Sequence, residues 1–94
     1  MSRYAKLLMR VLDQASGHSI RFENLCGLLV RLGFSERHGA GSHRIFYRQG
    51  IAEIVNLQPR PDGTCKPYQI RQVRQIILRY HLAETTNPES IDEP

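Results

Sequence analysis

Gly39-Ala40-Gly41-Ser42-His43-Arg44-Ile45-Phe46-Tyr47-Arg48 reads as a tight turn that opens straight into a strand. Gly41 has no Cβ and accepts backbone torsions that other residues resist. Ile45, Phe46 and Tyr47 are strand formers by type. Strand-like segments lie on both sides, at residues 34–37 before the turn and at 52–57 after a second turn containing Gln49-Gly50. Links this short join antiparallel neighbours, because parallel strands need a long crossover. The stretch therefore predicts a three-stranded antiparallel sheet.

Helical patterns flank that sheet. Ser2 can cap a first helix over roughly residues 3–15, where Tyr4, Leu7, Leu8, Val11, Leu12 and Ala15 form one apolar stripe before Ser16-Gly17. A second helix over roughly 22–32 carries Leu25, Leu28, Leu29 and Leu32, with Phe22 and Cys26 beside them and Gly33 as its stop. Beyond the sheet, residues 60–64 have loop composition, and Pro67 suits the first position of a third helix over roughly 67–82. Its buried stripe is Ile70, Val73, Ile76, Ile77 and Tyr80, and its other face carries Arg71, Arg74 and Gln75 with an anomalous Leu78. The order is α-α-β-β-β-α. Each helix has a single apolar stripe, so the expected fold is α+β, with the helices on one sheet face and the other face left to solvent or a ligand.

The 94 residues allow one small domain, placed at 1–83, followed by a tail at 84–94 whose Thr, Asn, Pro, Glu, Ser and Asp content reads as disordered. Net charge is +4, but the tail holds Glu84, Glu89, Asp92 and Glu93 and no Lys or Arg, leaving the first 83 residues at +8. So basic a domain fits a polyanion partner, most often nucleic acid, or simply a solubilising surface. No apolar run approaches the roughly 20 residues of a membrane helix. Apolar and charged residues interleave at the N-terminus, unlike a signal peptide, so the expected compartment is the cytoplasm. Cys26 falls on an apolar helical stripe, Cys65 reads as a loop thiol, and the histidines at 18, 38, 43 and 81 complete no zinc spacing with them. No metal or cofactor is expected.

The turn also carries chemistry. Histidine is the side-chain type that gives or takes a proton at neutral pH, and His43 is followed by Arg44, whose donor fork suits phosphate. Ser42 offers a hydroxyl to a phosphate oxygen, to His43 or to the turn itself. If the strand alternates regularly, Arg44, Phe46 and Arg48 share one face. That face is either an exposed strip for stacking and phosphate binding, or a core-facing Phe46 with arginines at its flanks. Lys66 at the entry to the third helix, and Arg71 and Arg74 on its polar face, are the further candidate phosphate contacts. Taken alone, a Gly-Ser-His triplet is also an ordinary turn with a solvated imidazole.

Taken together, Leu32-Gly33-Phe34, Gly41-Ser42-His43-Arg44-Ile45-Phe46, Glu53-Ile54-Val55-Asn56-Leu57-Gln58-Pro59 and Lys66-Pro67-Tyr68-Gln69 with the Val73-Arg74-Gln75-Ile76-Ile77 helix resemble the HicA toxins of bacterial type II toxin–antitoxin systems. The closer likeness is to the branch with an extra N-terminal helix. The resemblance implies a double-stranded-RNA-binding-domain-like fold and a ribosome-independent endoribonuclease (an mRNA interferase) neutralised by a HicB-type antitoxin. It makes His43 the catalytic residue. The segment 61–68 lacks the Pro-x-His of the shorter branch, so the resemblance supplies no second histidine. RNA cleavage needs no metal when the 2′-OH attacks its own phosphodiester, and one positioned histidine supplies a proton transfer. The competing functions are a non-catalytic RNA-binding module on the same basic surface and a subunit that only docks a partner. Oligomeric state is left open by the residues.

Overall fold

The computed structural model describes residues 3–14 and 19–85. The elements run α1 (Arg3–Leu12), α2 (Phe22–Arg31), β1 (Ser35–His38), β2 (Arg44–Tyr47), β3 (Val55–Leu57), α3 (Pro67–Arg79) and a short α4 (Leu82–Thr85). The expected order is present, with one added helical turn at its end. The strands form one antiparallel sheet in the order β1-β2-β3. This is the double-stranded-RNA-binding-domain-like arrangement, with α1 as an addition before it.

Sheet pleating separates two faces. Phe46, Val55 and Leu57 are fully buried beneath the helices. Ile45, Tyr47 and Asn56 alternate with them and occupy the open face, where Ile45 is paired with Asn56 across the β2–β3 ladder. The core between sheet and helices contains Leu7, Val11, Leu25, Leu28, Leu29, Val73 and Ile77. Each lies on a stripe read from the helical period. Cys26 and Cys65 are both buried free thiols, and burial pushes each up to about 12, so neither forms a thiolate near neutral pH. Cys65 is the free thiol outside any helix or strand that the sequence suggests, and it is also buried in the core.

Two strand boundaries differ from expectation for local reasons. Phe34 belongs to the end of α2, not to β1. The Gly33 N–H donates to Val30 O and the Phe34 N–H to Leu29 O, with Gly33 at φ +95, which is the Schellman pattern. Residues 52–54 lie outside β3, and the end of α3 holds them instead. The Ala52 N–H donates to Tyr80 Oη at 3.3 Å, Tyr80 Oη donates to Glu53 Oε1 at 2.6 Å, and Arg79 Nη1 pairs with Glu53 Oε2 at 2.6 Å. The Tyr80 hydroxyl and the Arg79 charge hold the Glu53 carboxyl below its usual range. Ser2, Ala15, Gly17 and His18 lie outside the described residues, as does the tail from 86 onward. Glu84 and Thr85, expected in that tail, sit in the α4 turn.

Gln69, a buried polar residue, ties α3 to the chain leaving β3. Its amide donates to Gln58 O at 3.2 Å and accepts from Gln58 N at 3.0 Å. Gln69→Leu keeps the volume but strands both backbone groups. The expected cost is about 1–3 kcal/mol, measured as a lowered urea midpoint with an unchanged slope.

Candidate functional site

The 39–43 turn closes tightly: the Gly39 N–H donates to His43 O at 2.9 Å and the His43 N–H donates to Ala40 O at 3.2 Å. Gly41 carries φ +63, the left-handed conformation that its lack of a Cβ permits. At Gly39 a Cβ would come within 3.1 Å of the His43 Cβ and 3.2 Å of Ile45 Cδ1, so the turn packs directly against the histidine. His43 is half-buried, and its Nδ1 lies 2.9 Å from Asn56 Oδ1. An amide oxygen only accepts, so with Asn56 in this orientation Nδ1 is the donor, and in the neutral ring Nε2 then carries the lone pair. Asn56 thereby fixes both tautomer and ring orientation.

His43 lines a cleft of about 380 Å³ between the turn, the start of α2 and the 59–63 loop. His38, Ser42, Arg44 and Arg21 share its walls. Two of these residues were not candidates from sequence. His38, at the end of β1, is exposed, and the hairpin pairs it with Arg44, so that it lines the same cleft as His43. Arg21 is exposed, and its guanidinium makes no hydrogen bond or ion pair among the described residues. Arg21 is placed by a short ribbon in which it bridges Thr64 antiparallel and the Phe22 N–H donates to Gly63 O at 2.9 Å.

The arginines chosen from sequence are mostly occupied. Arg44 Nε and Nη2 grip Glu36 in a bidentate pair, each at 2.7 Å, and Nη1 reaches Glu23 at 3.2 Å. The guanidinium also lies 5.7 Å from the Phe22 ring and 5.9 Å from the Phe46 ring. Its hydrogen bond to Glu36 raises its own affinity for the proton and holds the Glu36 carboxyl below the usual range. Phe46 has no exposed surface, so the stacking strip of Arg44, Phe46 and Arg48 does not exist. The core-facing reading of that strand is the correct one. Arg48 Nη1 donates to Leu32 O at 2.9 Å and Arg74 Nε to Val11 O at 2.7 Å, so the two cap the C-terminal ends of α2 and α1. Lys66 Nζ lies 3.4 Å from Gln58 Oε1 and does not line this cleft. Ser42 and Arg71 are exposed. His81 pairs with Glu84 at 2.5 Å, beyond α3.

Residues 22–79, more than half of the chain, match the family described as HicA toxin of bacterial toxin-antitoxin. The chain belongs to the HicA toxin family. The match runs from the first residue of α2 to the last of α3, so α1 and α4 lie outside the matched segment. No curated protein and no solved structure matches the chain. Membership makes this HicA chain the toxin of a toxin–antitoxin pair. Among the described residues no helix is long and apolar enough to cross a membrane, and no group of three or more His, Cys, Asp and Glu side chains is placed to hold a metal ion.

Proposed function

We infer that this toxin is a cytoplasmic endoribonuclease that cuts mRNA at the His43 cleft, with the 2′-OH of the substrate as nucleophile. The observation that carries this reading is His43 on the cleft wall with its Nδ1 held 2.9 Å from Asn56 Oδ1. With Nδ1–H engaged, Nε2 takes the proton of the 2′-OH as its oxygen bonds to phosphorus. Negative charge grows on the non-bridging oxygens, and Arg21 is the cation on that wall left unengaged among the described residues. The start of α2, on the same wall, adds the positive end of its dipole. The P–O5′ bond breaks, and His38, on the same cleft wall, is the group placed to deliver a proton to the departing 5′ oxygen. The products are a 2′,3′-cyclic phosphate, later hydrolysed to a 3′-phosphate, and a 5′-hydroxyl. Arg44 works here as a positioning residue, anchoring β2 to β1 and α2 beneath the histidine. A HicB-type antitoxin neutralises the toxin by covering this cleft.

End-group analysis tests the reaction. Long single-stranded RNA incubated with the toxin in EDTA is expected to give fragments with 2′,3′-cyclic or 3′-phosphates and 5′-hydroxyls. Fragments with 5′-phosphates and 3′-hydroxyls would mean that water attacks, which overturns the mechanism. Bound but uncut RNA would reduce the protein to an RNA-binding module.

A further inference from the structure

A second cleft, of about 330 Å³, lies between α1 and the beginning of α3. Four guanidiniums rim it, Arg10 from α1, Arg60 from the loop, and Arg71 and Arg74 from α3, and no carboxylate lines it. Two of the four are fixed in place by backbone carbonyls. Arg10 Nη2 donates to Ser19 O at 3.0 Å and Arg74 Nε to Val11 O at 2.7 Å, so each spends one donor of its fork and keeps the rest. Arg60 and Arg71 are exposed, and their guanidiniums make no hydrogen bond or ion pair among the described residues, although the Arg60 charge helps hold the neighbouring Asp62 carboxyl below its usual range. Convergent like charges repel one another, and a bound anion relieves that repulsion. The floor is apolar, with Ile20 and Ile70 facing the cavity. Cationic rim and apolar floor together suit a nucleotide, with phosphate at the rim and base or ribose on the floor.

The two clefts share a wall. The ribbon formed by residues 19–22 and 63–65 has Arg21 and Gly63 on the His43 side and Ile20 and Cys65 on the arginine side. It is held by the Cys65 N–H donating to Ile20 O at 2.8 Å and by the Phe22 N–H donating to Gly63 O at 2.9 Å. A strand lying across that ribbon reaches both clefts. Arg10, Ser19 and Ile20 all precede the segment shared with the HicA family, so this cleft exists only because α1 is present.

We propose that the arginine-rimmed cleft is a second RNA subsite, holding a nucleotide along the strand from the one at His43, and that α1 serves to build it. The proposal rests on the ribonuclease reading above for its substrate, and it is tested by binding alone. In the full chain carrying His43→Ala, binding of a uridine dinucleotide and of a uridine dodecamer is compared, each over a salt series. The dodecamer is expected to bind more than tenfold tighter than the dinucleotide. Adding Arg60→Ala and Arg71→Ala together is expected to remove most of that gain and to lower the salt slope by about 1.4, near 0.7 for each lost single-strand phosphate contact. Arg71→Lys should keep the slope, because it keeps the charge. A thermal melt of each variant checks that the fold is intact.

Unchanged dodecamer affinity and slope in the double variant would overturn the proposal. Unchanged RNA binding with lost binding of the antitoxin would also overturn it, reassigning the cleft to the protein partner. If the unsubstituted toxin cuts no RNA and the double variant still loses the dodecamer gain, the ribonuclease reading fails and the subsite stands.

Discussion

His43→Ala is expected to lower kcat/KM for RNA by about 10²–10⁴-fold, the usual worth of a positioned proton-transfer group, while thermal stability and RNA affinity stay near those of the unsubstituted toxin. His43 is half-buried and its side-chain hydrogen bond is to Asn56, so its removal leaves the core of Phe46, Val55 and Leu57 untouched. Asn56 supplies the companion experiment. Asn56→Ala leaves the ring without its anchor, and partners that orient a working histidine are worth about 10–100-fold where they have been measured. Asn56→Asp keeps the acceptor but adds a charge that favours the imidazolium. That variant should retain much of the activity and move the pH–rate limb that reports the base to higher pH. A merely structural asparagine would show no such movement. Equal cleavage by His43→Ala and the unsubstituted toxin would end the assignment of His43 as the base.

The helices were legible in the sequence because their signals are local. Stripes at i, i+3 and i+4 and the glycine at 33 mark α1, α2 and α3 wherever those helices go. His43 was legible because its turn and its strand are contiguous with it. Asn56 was not, since it meets His43 only once β3 is laid against β2, with Ile45 opposite Asn56. The hint was its place as the single polar residue between Val55 and Leu57, both of which turned out to be core. The arginines' intramolecular partners were hidden for the same reason. Arg44 meets Glu23 across 21 positions and Arg74 meets Val11 across 63, so sequence shows their charge and hides their partners. Arg21 and His38 gave no local signal that sets them apart from other exposed polar residues. Only the ribbon and the hairpin bring them to the cleft.

Arg44→Ala should destabilise the fold by about 3 kcal/mol, a shift of more than about 10 °C in Tm for a domain of this size. The Arg44 and Glu36 side chains are only 24% and 20% exposed, and three charge-assisted hydrogen bonds converge on one guanidinium. Losing the arginine leaves Glu36 a sheltered carboxylate without its main partner, and it strips the cation from the Phe22 and Phe46 rings. Replacing both residues of the pair by leucine should recover part of the loss, because no sheltered charge is then left unmatched and the Glu23 carboxylate, which loses its contact, is solvated. The same pair sets an acid limit. Arg44 holds the folded-state Glu36 carboxyl below its unfolded value, so the stabilisation is complete above the ordinary carboxylate range and is lost as pH falls through the lowered folded value. Glu36→Gln should therefore flatten the acid limb of a stability-against-pH curve while lowering its neutral plateau. RNA cleavage by Arg44→Ala, measured well below its lowered Tm, separates the two roles open to this residue. As a positioning residue, Arg44 loses activity in step with the unfolded fraction. As a phosphate ligand, it would raise KM in a protein whose Tm is unchanged, and that result would return Arg44 to the RNA surface.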